Sequence, residues 1–417
     1  VPKQLIRNPL VWGAGVLASV LAITFTYAYL GAFLDPGANA RDVPVAVISE
    51  DAGATVHGIK LNLGGELAGS VSSGAVSNKS VRYTVLPNRR ALVARMRDDK
   101  VFAAIVVPRN FSQKVANILA GKSSSNGGLR IEILTNPAAG TIASSSGERI
   151  ATETVQLFEK TAVTRINAGL RLLGVSPSDA LAGAFADTGV VTVSSAVALP
   201  AKSALGTGPF FFQLTIALGG FFLAAIISAA AEIAVGHNKL HLLGLTLERP
   251  AVSVSRSGLA LLKVAFVLVF AALMALLQTL FAIKVLGMQV TNPVALAFFS
   301  ALGSAAVAMI TLFFLLTLDV VGRIVAVLVT ILFAVPSSGG VYPAQTLPRF
   351  FRFLGDWLPL RRMTDGARSL TFFDGNGAAG LNTALWALAL YLVVFTLLTL
   401  LVVWSRREAT PASASMD

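Results

Sequence analysis

The chain has 417 residues, of which 55% are hydrophobic and 13% charged; its formal net charge is +12 and it has no cysteine. A soluble domain carries nearer a quarter charged residues, so this charge content and a mean hydropathy of +0.73 mark a membrane protein. The positive excess then points to lipid surfaces and topology rather than to nucleic acid, and the missing cysteines exclude disulfides and thiolate-bound zinc.

Val1–Pro9 is short and basic, with Lys3 and Arg7. Leu10–Leu34 is an uncharged apolar run long enough for a bilayer core of about 30 Å. Ala38 and Ala40 fit a small-x-small cleavage site. The run is nevertheless longer than a signal core of about 7–15 residues, which predicts a retained first span starting in the cytoplasm. Arg41 to about Gly208 predicts one soluble domain. Val43–Ile48 reads as a buried strand, followed by a turn at Ser49, Glu50, Asp51 and Gly53. Val81–Leu86, Val101–Val107 and Leu129–Leu134 read as further strands. Asn88–Asp99 (with Asn88 as N-cap), Asn110–Leu119 and Ser144–Leu173 read as helices. Strands alternating with helices predict an α/β sheet with parallel pairs. Gly174–Gly206 shows no clear period and predicts no element.

From Pro209 the apolar runs predict spans at Phe210–Ala231, Leu259–Val285, Pro293–Leu318, Ile324–Val335 and Leu381–Trp404, with a tight turn at Asp319, Gly322 and Arg323. Six spans from a cytoplasmic start return the C-terminus to the cytoplasm. Lys3, Arg7, Lys239, Arg249, Arg256, Arg323, Arg406 and Arg407 then lie inside, as the positive-inside bias requires. The predicted fold class is a polytopic α-helical membrane protein with six transmembrane helices and an extracytoplasmic α/β domain inserted between helices 1 and 2. The predicted divisions are residues 1–34, the external domain 35–208, the five-helix region 209–404 and a tail 405–417. Within the helical region, residues 232–256 form a cytoplasmic loop and 336–375 an external re-entrant segment.

That segment opens with PSSGGVYPAQTLPRFFRFLGDWLPLRRMTDGARSL, Pro336–Leu370. Ser337, Ser338, Gly339 and Gly340 can break a helix, and Pro343 and Pro348 forbid a regular one until Arg349. From Arg349 to Leu360 the apolar spacing predicts one amphipathic helix at a membrane surface. Phe350, Phe351, Phe353 and Trp357 are expected to face acyl chains. Arg349, Arg352, Arg361 and Arg362 are expected to face anionic headgroups or cargo.

Catalytic signals are weak. Gly121-Lys122-Ser123 has Ala116 where a nucleotide-binding loop needs glycine. His57, His237 and His241 are scattered, so no triad or metal site is visible. No cofactor is expected in this chain, and no ionisable residue sits near a span midplane. Lys263 and Lys284, near opposite ends of the third span, are expected to snorkel to either surface. Gln278 reads as packing glue, and Ala297, Ala301 and Ala305 permit close helix approach.

Three passages, VPVAVISEDAGA, KVFAAIVVPRNFSQKV and ILTNPAAG, together with the Pro336–Leu370 segment, carry a resemblance over most of the chain. It resembles permeases of the ABC type-2 exporter superfamily, in particular the YhgE/Pip (phage infection protein) group. That resemblance implies a non-enzymatic permease with six spans, working as a homodimer or heterodimer in the bacterial plasma membrane. ATP and Mg would sit on a separate ATPase subunit. The expected function is export of a lipid or other amphipathic molecule. The alternative is a non-transporting scaffold or receptor of a secretion or cell-envelope assembly, binding proteins through the external domain. In the loop Glu232–Arg256, Leu240, Leu243 and Leu247 share a helical face, with Glu232, His237, Lys239 and Arg249 around it. That spacing predicts a helix coupling the permease to the ATPase; an interfacial loop that only sets topology is the competing reading.

Overall fold

The computed structural model describes residues 39–74, 80–122, 129–172, 191–200, 202–236, 240–242, 245–247 and 255–408, with Gly174 and Phe185 as isolated positions. The expected first span, Leu10–Leu34, lies outside the described residues. The chain divides into two compact units, one covering Asn39–Thr207 and one containing everything from Gly208 onward.

The first unit is a five-stranded sheet with helices on both faces. Its strands are β1 (Val43–Ser49), β4 (Val81–Val85), β5 (Ala103–Val107), β6 (Ile131–Thr135) and β7 (Val191–Ser195), in the order β4-β1-β5-β6-β7. All pairs are parallel except β5 with β6. VPVAVI and AAIVV are unbroken apolar runs because β1 and β5 are covered on both faces. On one face lie α1 (Leu63–Ser72), α3 (Phe111–Leu119) and the 32-residue α4 (Thr141–Leu172), packed on Val45, Val47 and Ile105. On the other, α2 (Arg89–Arg97) sets Leu92 and Met96 against Ala46, Ile48 and Val106. Asn88 caps α2 as expected, its side chain accepting from the Ala91 N–H at 2.9 Å.

The sequence reading leaves four elements undetected. β7 lies within Gly174–Gly206, where its polar VTVSS gives little apolar signal. β2 (Ala54–Val56) and β3 (Ile59–Leu61) form a short hairpin turning at His57 and Gly58, both at positive φ. α1 is glycine-rich and so a poor helix former. It needs the glycine at position 64, because a Cβ there would come within 2.6 Å of the Asp51 Cβ.

One carboxyl in this unit is buried at a cost. Glu159 on α4 is 9% exposed, and its Oε1 has no hydrogen-bond partner among the described residues. Burial pushes its pKa from the ordinary 4.5 up to about 7. Between those values the unfolded chain binds fewer protons than the folded one, so stability falls as pH rises through that window. Glu159→Gln is expected to raise the thermal midpoint at pH 8, by about 1–2 kcal/mol of stability, and to leave it nearly unchanged at pH 4. Thermal unfolding of the full chain at both pH values measures this; equal shifts at the two would refute the assignment.

The second unit has four helices long and apolar enough to cross a membrane among the described residues, Gly208–Ala234, Ser257–Lys284, Pro293–Leu318 and Leu381–Ser405. They belong to α5 (Gly208–Ala234), α6 (Arg256–Lys284), α7 (Pro293–Val327) and α11 (Leu381–Glu408). The expected turn near Gly322 falls inside α7. A Cβ at Gly322 would collide with the Phe314 carbonyl oxygen, whereas an unbroken helix separates residues eight apart by about 12 Å. The chain therefore doubles back here. Val321–Ser337 follows as a shorter apolar helical stretch, with a π-turn at Leu328–Leu332 and a last turn, α8 (Ala334–Ser337).

Small residues and a few amides join these helices, as expected in a bilayer. A Cβ at Gly220 on α5 would lie 2.6 Å from the Ser304 carbonyl on α7. Gln213 donates to Ser300 Oγ at 3.0 Å, and Gln278 on α6 donates to the Thr215 carbonyl at 3.3 Å. Lys263 departs from expectation. Rather than snorkelling, its side chain is 2% exposed and its Nζ pairs with Glu232 at 2.5 Å, because α5 and α6 bring the two together at one end of the pair.

Candidate functional site

Residues 336–375, expected to be re-entrant, build the most unusual part of the second unit. After α8, Gly339 takes a positive φ of 70° and the chain leaves the helix. A single turn at Ala344–Thr346 leads to α9 (Arg349–Trp357), and then α10 (Pro359–Phe372) follows. The sequence predicts one helix over Arg349–Leu360, but there are two. Pro359 disfavours a helical residue before it, and Leu358 is extended (φ −98°, ψ 139°).

At 14 residues α10 is too short to span, yet most of it is buried against α5, α7 and α11. Glycines let it enter. Gly303 on α7 sits 2.8 Å, at its would-be Cβ, from the Met363 Cε, and Gly366 faces the ring of Phe299 and, at 3.1 Å, the Cβ of Ala384. Gly340 gives way in the same manner to the ring of Phe210.

α9 contacts this buried helix, and its aromatic residues are divided. Phe350, Phe353 and Trp357 are 45%, 62% and 67% exposed. Phe351 is instead buried with Leu332 and Leu347, because it falls on the inward face of α9. The cations are also corrected. Arg361 and Arg362 converge on Asp356, at 2.9 Å and 3.7 Å, with side chains only 19% and 20% exposed. Arg362 also donates to the Asp356 carbonyl at 3.2 Å, and Arg352 donates to the Gln345 and Leu347 carbonyls. Arg368, 8% exposed, reaches the Gly339 carbonyl at 3.4 Å. The bend that Pro359 imposes brings α10 back toward the end of α9, so these arginines tie the segment together. Arg349 alone of the four expected contact arginines is exposed.

A family model matches residues 14–397, from inside the expected first span to α11. The chain belongs to the DUF3533 family, described as proteins of unknown function. No curated protein matches it.

In this DUF3533 chain the expected coupling helix is replaced by a β-hairpin. β8 (Leu240–Leu242) and β9 (Leu245–Leu247) pair antiparallel, with Leu240 opposite Leu247. LHL and LTL alternate on either side of Leu243-Gly244, a period-two signal that outweighs the helical spacing of three leucines. His237, Lys239, Leu243 and Arg249 lie outside the described residues.

Two sequence motifs of the DUF3533 domain meet in space. Asp51, after β1, accepts from the Gly53 and Gly64 N–H groups at 3.2 and 3.0 Å. It also accepts from the Ser112 N–H at 3.1 Å and the Ser112 hydroxyl at 2.5 Å. Ser112 Oγ in turn accepts from the Leu63 N–H at 2.9 Å. One carboxylate and one hydroxyl thus serve the first turns of α1 and α3, where unpaired N–H groups and the helix dipole favour negative charge. Glu50 pairs with Arg89 at 3.0 Å, which also holds Glu132 at 2.7 Å. Arg89 thus ties the end of β1 to β6.

Proposed function

We propose that this DUF3533 chain is the permease subunit of an ABC type-2 exporter, similar to the YhgE/Pip group, moving a lipid or other amphipathic molecule out of the cell. The observation that supports it is α10, a short helix sunk among three spans beneath an α9 that presents Phe350, Phe353 and Trp357 outward. Such a surface lets an amphiphile bring its apolar part against the protein at membrane depth while its head stays in the interface. In this reading the chain has six spans, the Asn39–Thr207 unit is extracytoplasmic, and both termini face the cytoplasm of a bacterial plasma membrane. The subunit works as a dimer, and a separate ATPase carrying ATP and Mg supplies energy from the side of the 232–256 loop.

The scaffold or receptor reading draws on a different feature. β4 and β7 are the outer strands of the sheet, and an outer strand can pair with an added one from a protein partner. Reconstitution separates the two. An exporter is expected to co-purify with an ATPase whose turnover rises with an anionic amphiphile. Replacing Phe350, Phe353 and Trp357 together with alanine should cut that stimulation about tenfold, from the typical worth of aromatic contacts. Absence of any ATPase partner, with an unchanged lipid profile in a deletion strain, would overturn the exporter reading.

A further inference from the structure

A groove of about 400 Å³ lies between α6 and α7, away from α9 and α10. Its walls include Ala272, Leu276 and Ile283 on α6 and Val294, Ala297 and Ala301 on α7. Thr279 is the one polar residue lining it, and its hydroxyl is already donated to the Ala275 carbonyl at 2.7 Å. Nothing in the walls asks for a polar ligand. The alanines make the depression, and exposed Val294 and Phe298 raise its rim.

Length and charge identify what fits. From Ala272 to Ile283 the groove follows α6 for about 16 Å, close to half of a hydrocarbon core of about 30 Å. That is the depth one leaflet's acyl chain must fill. Lys284 is the next residue, exposed in the last turn of α6, where that leaflet's headgroups would lie. No charged residue occurs between Lys284 and Asp319, so no acidic side chain of the adjoining loop or of the facing part of α7 competes for the cation. We infer that this groove holds one acyl chain of an anionic phospholipid, with the lipid phosphate on Lys284. The assignment does not depend on export. It would stand equally in a scaffold.

Native mass spectrometry of the full chain in detergent tests it, with phosphatidylglycerol and phosphatidylcholine of identical acyl chains as probes. Phosphatidylglycerol is expected to form a retained one-to-one adduct, favoured about fivefold over phosphatidylcholine by the single lysine. Lys284→Gln, at an exposed position, should erase that preference by weakening phosphatidylglycerol more than phosphatidylcholine, whose choline already offsets its phosphate. Ala301→Phe should fill the groove and weaken both lipids about tenfold; if it fails to fold, the lysine variant decides alone. A preference for phosphatidylglycerol that survives Lys284→Gln would overturn the proposal. So would a folded Ala301→Phe protein that binds both lipids as before, or one whose only change is loss of a dimer, which would assign the groove to a second copy of the chain.

Discussion

Gly366→Leu is expected to abolish the native membrane unit. Gly366 lies on α10 between α7 and α11, where even a Cβ would overlap the ring of Phe299 and sit 3.1 Å from the Ala384 Cβ. Phe299 is 2% exposed and Ala384 fully buried, so neither has room to retreat. Overpacking by a methylene or two typically costs about 1–3 kcal/mol. Four added carbons blocked on both sides should exceed that, and α10 would have to leave its place among the spans. Gly303→Ala is the control. Its Cβ would meet the Met363 side chain, whose Cε at 2.8 Å is the far end of a flexible chain that can move aside. Size-exclusion profiles and thermal midpoints of detergent-solubilised variants measure the contrast. Gly366→Leu should lose the monodisperse peak while Gly303→Ala keeps it. A stable, wild-type-like Gly366→Leu protein would mean that α10 is not inserted between α7 and α11.

Asp51→Ala should unfold the sheet-containing unit at much lower temperature than the parent chain. Four hydrogen bonds end on this carboxylate, two of them from Ser112. Without it, N–H groups at the starts of α1 and α3 lose an acceptor, and the negative charge near both helix dipoles goes with it. One lost cap costs about 1 kcal/mol, and hydrogen bonds to a charged group about 1.5–3 kcal/mol each before compensation by water. A total of about 3–4 kcal/mol is expected. Ser112→Ala should cost less, since Asp51 keeps its bonds to Gly53, Gly64 and the Ser112 N–H. The double variant should fall short of the sum, because the two side chains share one bond. Limited proteolysis of the Asn39–Thr207 region, followed in the full-length protein, reads each effect. Strict additivity would show that the two motifs are not coupled.

Much of the architecture is legible from local pattern. An apolar run such as AAIVV can only be covered on both faces, so β1 and β5 announce themselves as central strands. Asn88 before RRALVARMR is a cap because its short acceptor reaches the N–H three residues on. Runs of about 25 apolar residues give the spans, and Ser337–Gly340 with Pro343 and Pro348 give the break before α9. Each of these follows from interactions a few residues apart.

What only the tertiary structure decided are the partners that chain reversal brings in, some a few residues away and others far along the chain. Lys263 and Lys284 look alike at the two ends of one span, but Glu232 stands beside the first, which is buried, while the second is exposed. Arg361 and Arg362 read as a free cationic face until Pro359 turns α10 back and Asp356 receives them. Asp51 and Ser112 lie 61 residues apart, and their bond exists because β1 and β5 are neighbours in the sheet. At Leu240–Leu247 helical and strand periods both fit, and the hairpin is the solution in which each short strand finds its backbone partner in the other. Periodicity reports which face of an element is apolar; which charge or carbonyl meets that element is settled by chain reversal and packing, and these bring together residues that no local pattern connects.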